Sequence, residues 1–218
     1  MRSLSILLFF CVTAASVLVQ PSMAGPIAFD GRWSEQRLQL FNSNDYAFNG
    51  RSLQITSDGA VSLAWVPTQT SDWGATSASW NWAVDQSVPA TDLRRKGGDD
   101  RNVSLYFVFL PEAEAARMQG ANIRQLQRTP SVRILQYVWG GTHAPGAIFG
   151  SPYAPGQGAN VMLRQAGTGR ATERVNLAQD FATAFGGAPG ALVGIAVSAD
   201  SDDTGTAIRA TLSDLRVD

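Results

Sequence analysis

Residues 192–217 read LVGIAVSADSDDTGTAIRATLSDLRV. The stretch opens on an apolar run, Leu192–Val197, passes through an acidic turn, Asp200–Gly205, and ends on a second run. In that run Ile208, Ala210 and Leu212 alternate with Arg209, Thr211 and Ser213. Alternation with a period of two gives a strand with one face in a core and the other in water. The segment D-S-D-D-T-G between the runs is turn chemistry at a strand junction. The expectation is a closing hairpin whose loop carries the carboxylates of Asp200, Asp202 and Asp203.

The same grammar extends upstream. Arg51–Thr56 alternates, Ser57-Asp58-Gly59 turns the chain, and Ala60–Val66 returns, which also reads as a hairpin. In Ala78–Val84 (ASWNWAV), Trp80 and Trp82 share one face of a strand and form a core wall. Val103–Leu110 (VSLYFVFL) is almost continuously apolar, the mark of a central strand covered on both faces. Leu38–Phe41, Val132–Trp139 and Asn160–Arg164 are further strand candidates. Helix signals are confined to Glu112–Gln127, weakened at Gly120 and Asn122, and to Asn176–Phe185, capped by Asn176 and stopped by Gly186-Gly187. The connections 85–102 and 140–158 are long, and the second is rich in glycine and proline; 165–174 is a polar turn. About nine strands, one or two short helices and regular turns define an all-β chain. Its architecture is a two-sheet antiparallel sandwich of the jelly-roll type.

Met1–Ala24 is expected to be a signal peptide. Arg2 precedes the apolar run Leu4–Val19, and Ser22-Met23-Ala24 supplies small residues at a cleavage boundary. A single β-sandwich domain then spans residues 25–218, and the address is periplasmic or secreted. Cys11, the one cysteine, lies in the leader, so the remaining chain has neither disulfides nor thiol chemistry. The net charge is −1 without a basic stripe, which argues against nucleic acid as a partner. No later segment has the length of apolar sequence that an integral membrane span requires.

His143 is the single histidine, and no G-x-S-x-G elbow surrounds any serine, so a serine–histidine mechanism has little to draw on. Histidine-based metal sites fail for the same scarcity. Two acidic loops carry the stronger signal: Asp99-Asp100, and Asp200 with Asp202 and Thr204. The second begins with oxygens at alternate positions and glycine sixth, as a calcium loop does, but Thr211 stands where an EF-hand has its glutamate. Asp99, Asp100, Asp200, Asp202 and Thr204 are therefore the candidate metal ligands, with calcium the ion. In the competing readings the aspartates accept backbone N–H bonds, or pair with Arg94, Arg101 or Arg174. If central strands lie side by side, the loops at their adjacent ends meet and form one polar site.

The ordered motifs W-x-W (Trp80, Trp82), K-x-G-D-D (Lys96, Gly98, Asp99, Asp100), Y-V-W (Tyr137–Trp139), Glu173-Arg174 with Asp180-Phe181 and Phe185-Gly186, and D-x-D-x-T-G (Asp200, Asp202, Thr204, Gly205) together resemble the bacterial DUF3047 family. That is a family of exported proteins of unknown function. The resemblance runs from Trp33 to Val217 and departs from the family at Ser104 and Asp203. It implies the fold and the weight of the acidic loops, and no activity. The first functional expectation is a non-catalytic sandwich binding a saccharide or other small molecule through the rings of Trp73, Trp139 and Tyr153. The alternative is a carboxylate-dependent hydrolase of envelope polysaccharide, or a purely structural envelope protein. A tight carboxylate cluster in a cleft favours catalysis, and an open aromatic strip favours binding.

Overall fold

Two sheets face one another in the computed structural model of the chain, which describes residues 25–38 and 42–218. The leader expected at Met1–Ala24, and most of the strand expected at Leu38–Phe41, lie outside the described residues. The larger sheet has seven strands, in the spatial order β1 (Ser34–Arg37), β4 (Val61–Pro67), β11 (Ala191–Asp200), β6 (Arg101–Leu110), β7 (Arg133–Gly140), β9 (Gly158–Arg164) and β8 (Ile148–Gly150). The smaller has five, in the order β10 (Gly169–Asn176), β5 (Ser77–Gln86), β12 (Ala207–Val217), β3 (Ser52–Asp58) and β2 (Asp45–Phe48). Strand pairs are antiparallel except β7 with β9, which run parallel. Three short helices complete the described chain: α1 (Glu112–Arg117), α2 (Ile123–Gln127) and α3 (Leu177–Phe185). None of them is long or apolar enough to cross a membrane.

The main core lies between the sheets. Trp80 and Trp82 stand in it as a wall, edge to face with ring centroids 5.4 Å apart, and Phe107 and Tyr137 close against Trp80 from the opposite sheet. Strand β6 is the fourth of seven, and its second face is covered too. There Val108 and Leu110 join Leu63, Trp65 and Ala196 under the helices, which contribute Ala115, Ile123 and Leu126. The helical segment breaks at Gly120, whose φ is +81°, and restarts where the Asn122 side chain accepts from Gln125 N.

Both expected hairpins are instead corners between the sheets. β3 lies in the small sheet and β4 in the large one, and β11 and β12 are divided in the same way. The two corners stack on each other. Gly59 N donates to Thr206 O, Ser201 N donates to Ala60 O, and the Ser57 and Ser201 hydroxyls are 2.8 Å apart. These serines satisfy backbone groups that a hairpin ladder would otherwise pair, so the chain can change sheet inside a buried turn. Alternation looks the same in a strand that pairs with its sequence neighbour and in one that does not. The polar turn expected at 165–174 contains edge strand β10, whose outward residues are nearly all polar.

Candidate functional site

β6 begins where β11 ends, and the register places Arg101 directly opposite Asp200. The loops carrying the aspartates therefore meet, as central neighbouring strands require. Arg101 is the centre of the cluster. Its Nη1 lies 2.8 Å from Asp200 Oδ2 and 3.2 Å from Asp99 Oδ2; Nε donates to Ser104 Oγ at 3.0 Å, and Nη2 to the Tyr106 hydroxyl at 3.0 Å. Burial by itself would lower the pKa of this guanidinium, but Tyr106, Asp200 and Asp99 more than reverse that and hold it charged. Tyr106 reaches on to Ser198 at 2.8 Å, and Gln136 Nε2 donates to Ser104 at 3.0 Å. The result is a polar stripe across β11, β6 and β7 on the outer face of the large sheet.

Asp100 does something different. It is fully buried and accepts from Thr204 N at 2.8 Å, Thr204 Oγ1 at 2.5 Å and Asp203 N at 3.3 Å. It clamps the acidic turn by accepting its backbone N–H groups. The five residues expected to form one calcium shell thus divide. Asp99 and Asp200 pair with Arg101, Asp100 and Thr204 pair with each other, and Asp202 faces Asp200. Asp100, Asp202 and Asp203 each still bring a carboxylate oxygen within 4.8 Å of the others, a spacing able to hold a metal.

Burial pushes the Asp200 carboxyl up to about 8. Arg101 works against this, but it is shared with Asp99, and Asp202 and Asp100 add their repulsion to the effect of burial. A side-chain hydrogen bond between Asp200 and Asp202 also favours the protonated acid.

A cleft of about 600 Å3 opens over this stripe. Arg101, Asp99, Asp200 and Asp202 line one end, Gln136 and Asn160 lie on its floor, and Val108, Leu126 and Ile134 line the other end. Tyr153 stands at the polar end, 59% exposed, with its hydroxyl donating to Asp99 Oδ1 at 2.8 Å and accepting from Gly97 N at 3.3 Å. Burial and the Asp99 carboxylate raise this phenol to about 12, so it stays a donor.

Of the three rings expected to meet a ligand, only Tyr153 lines the cleft. Trp139 is 4% exposed and packs in the inter-sheet core, its centroid 5.6 Å from that of Trp82. In β7 it shares the inward face with Leu135 and Tyr137, and that parity decides its place. Trp73 is half-buried against the second core under the helices, and its carbonyl accepts from Leu192 N. His143 stacks near Phe149 and lies 3.3 Å from Asp92, away from the cleft lining. Sequence reasoning missed Tyr106, Gln136, Asn160 and Ser198. The signal was present: each is a polar residue within a largely apolar strand, and the register sets all four on one face of the large sheet.

A family profile described as "Protein of unknown function (DUF3047)" matches residues 31–216. No curated protein matches the chain. Among solved structures, the xyloglucanase domain of NopAA, a type three effector from Sinorhizobium fredii in complex with cellobiose, gives a TM-score of 0.44 at 8% identity, covering 89% of this chain and 95% of that one. One of the two major endo-1,4-beta-xylanases of Trichoderma reesei gives 0.41 at 12% identity, over 83% and 96% of the two chains. The family 11 xylanase from Neocallimastix patriciarum gives 0.38 at 10% identity, over 88% and 96%.

Proposed function

The chain belongs to the DUF3047 family of proteins of unknown function, and on that premise we propose that it is an exported, non-catalytic binding protein whose outer-face cleft takes a saccharide. The observation that carries this reading is the buried stripe of planar and hydroxyl side chains along the cleft, with one exposed ring at its mouth. Gln136 and Asn160 are groups that bind pairs of neighbouring hydroxyls, and the Tyr153 face suits the apolar side of a sugar ring. The cleft volume lies within the range of small-molecule sites, about 300–1,000 Å3.

A hydrolase reading draws on one observation, the raised Asp200 carboxyl, since an acid held protonated near neutrality can serve as a general acid. Glycoside hydrolysis needs a second carboxylate facing the first across the sugar. The acids lining this cleft gather at one end, with amides and aliphatic side chains along the rest, which favours binding. Calcium at Asp100, Asp202 and Asp203 is the finer form of the metal reading. In our proposal Arg101 supplies the positive charge that Asp99 and Asp200 require, and Asp100 serves as the clamp of the turn.

Calorimetric titration with β-1,4-linked glucose trimers tests the proposal. Saturable binding is expected, weakened about three- to tenfold in Tyr153→Ala, as loss of one stacking ring predicts. Release of reducing ends during the titration would replace the binding reading with the hydrolase. Unchanged affinity in the variant would remove Tyr153 from the site.

A further inference from the structure

The cleft has two unlike halves, and the saccharide reading uses only one of them. Both rings in its lining, Tyr106 and Tyr153, hydrogen-bond into the Arg101 cluster at the polar end. Beyond the amide floor of Gln136 and Asn160 the walls are mainly aliphatic. β6 supplies Val108, β7 Ile134, β4 Val61 and Leu63, and α2 Ile123 and Leu126. Four of these, Leu63, Val108, Ile123 and Leu126, also belong to the second core under the helices, and Ile134 packs half-buried against it. That core thus continues into the wall of the cleft. Core side chains normally meet other apolar groups at close packing, and an apolar wall facing a cleft marks a binding surface. The rim repeats the pattern. Leu38, 51% exposed, and Tyr153 are the large hydrophobic residues that stand exposed among the described residues, and both line this cleft.

What the aliphatic half can hold follows from its chemistry. Sugars are held by stacked rings and by hydrogen bonds to their hydroxyls, and leucine, isoleucine and valine side chains offer neither. Hydroxyls laid against such walls would lose their hydrogen bonds to water without replacement. A methylene chain has no hydrogen bonds to lose, and it gains with each carbon removed from water. Both halves belong to one continuous cleft of about 600 Å3, so the chain and the sugar reach it as one molecule.

We propose that the ligand is an amphiphile, a sugar carrying a single alkyl or acyl chain. The amide floor and the Tyr153 ring take the sugar, and the chain lies against Val108, Ile134 and the apolar residues of α2. The inference rests on the reading of the cleft as a saccharide site.

The test titrates the full chain calorimetrically with hexyl, heptyl and octyl β-glucosides, each below its critical micelle concentration, beside the β-1,4-linked glucose trimer and octanol. Affinity is expected to rise about fourfold with each added methylene, the gain from burying one such group. Octanol should bind more weakly than octyl glucoside. Ile134→Asn should cut the step along the series to below about twofold, since a polar wall no longer rewards the buried carbon, and Ile134→Leu should retain it. Tyr153→Ala should weaken the three glucosides by the same factor and leave the step unchanged. Melting curves confirm that the variants fold. Trimer binding with no step along the glucosides, or a step undiminished in Ile134→Asn, overturns the chain site and leaves the saccharide cleft standing. Octanol binding as tightly as octyl glucoside means that the head adds nothing and overturns the amphiphile; the trimer then decides whether the saccharide reading survives. Failure of every compound to bind overturns both.

Discussion

Arg101 donates through all three of its nitrogens to five different groups, and a lysine could not replace it. A lysine ammonium is a point charge, whereas the planar fork reaches Asp99, Asp200, Ser104 and Tyr106 at once. Asp200 is the residue whose protonation the cluster controls, under the influence of Arg101, Asp202 and Asp100. Its carboxyl is raised from 3.8 to about 8 in the folded protein, so the folded state keeps a proton that the unfolded chain has lost. The contribution to stability is present in full below pH 3.8 and disappears as the pH rises through about 8. Urea midpoints should therefore fall between mildly acidic and mildly alkaline pH, and Asp200→Asn should flatten that slope. A slope of the same size in the variant would assign the pH dependence to other groups. The sequence offered Arg101 as one of several cations beside Asp99-Asp100, with Arg94, Arg95 and Lys96. What separates it from them is its register opposite Asp200, a long-range fact that local spacing does not carry.

At the scale of elements, β11 bears the tightest fit in the large sheet. Gly194 lies beneath the Trp65 ring, and a Cβ at that position would fall inside the ring's contact distance. Gly194→Ala should cost roughly 1–3 kcal/mol by overpacking. Denaturant titration measures it, and a loss below about 0.5 kcal/mol would mean that the ring swings outward at little cost. The strands themselves were legible wherever hydrophobic period and burial coincide. β5, β6, β7 and β11 lie where their apolar runs put them, and the helical segment breaks at Gly120 as its composition predicts. Pairing was less legible. The connections after β3 and after β11 look like hairpin turns because Asp58-Gly59 and the acidic stretch are good turn formers. Both are corners because Ser57, Ser201 and Asp100 satisfy their backbone from neighbouring segments. Trp139 packs inward for a related reason: an aromatic ring in sequence does not announce which side of a sheet it covers, while Trp73, in the loop before β5, is drawn under the helices by long-range packing.

For the molecule as a whole, the expected address is open to direct measurement. Protein recovered from the producing cell should begin at Gly25, after the Ser22-Met23-Ala24 boundary, and N-terminal sequencing decides it. A chain starting at Met1 would refute the leader. The position of the two C-terminal strands bears on how such a chain comes to be folded. β11 sits third among seven strands and β12 third among five, each hydrogen-bonded on both sides to strands made much earlier. While the chain is being synthesised, then, β4 lacks the strand that joins it to β6, and β3 lacks the strand that joins it to β5. The large sheet is not continuous until Asp200 has left the ribosome, nor the small sheet until Val217 has. Contacts of such long sequence separation form slowly, so neither layer can take its native form before its own central strand has been made.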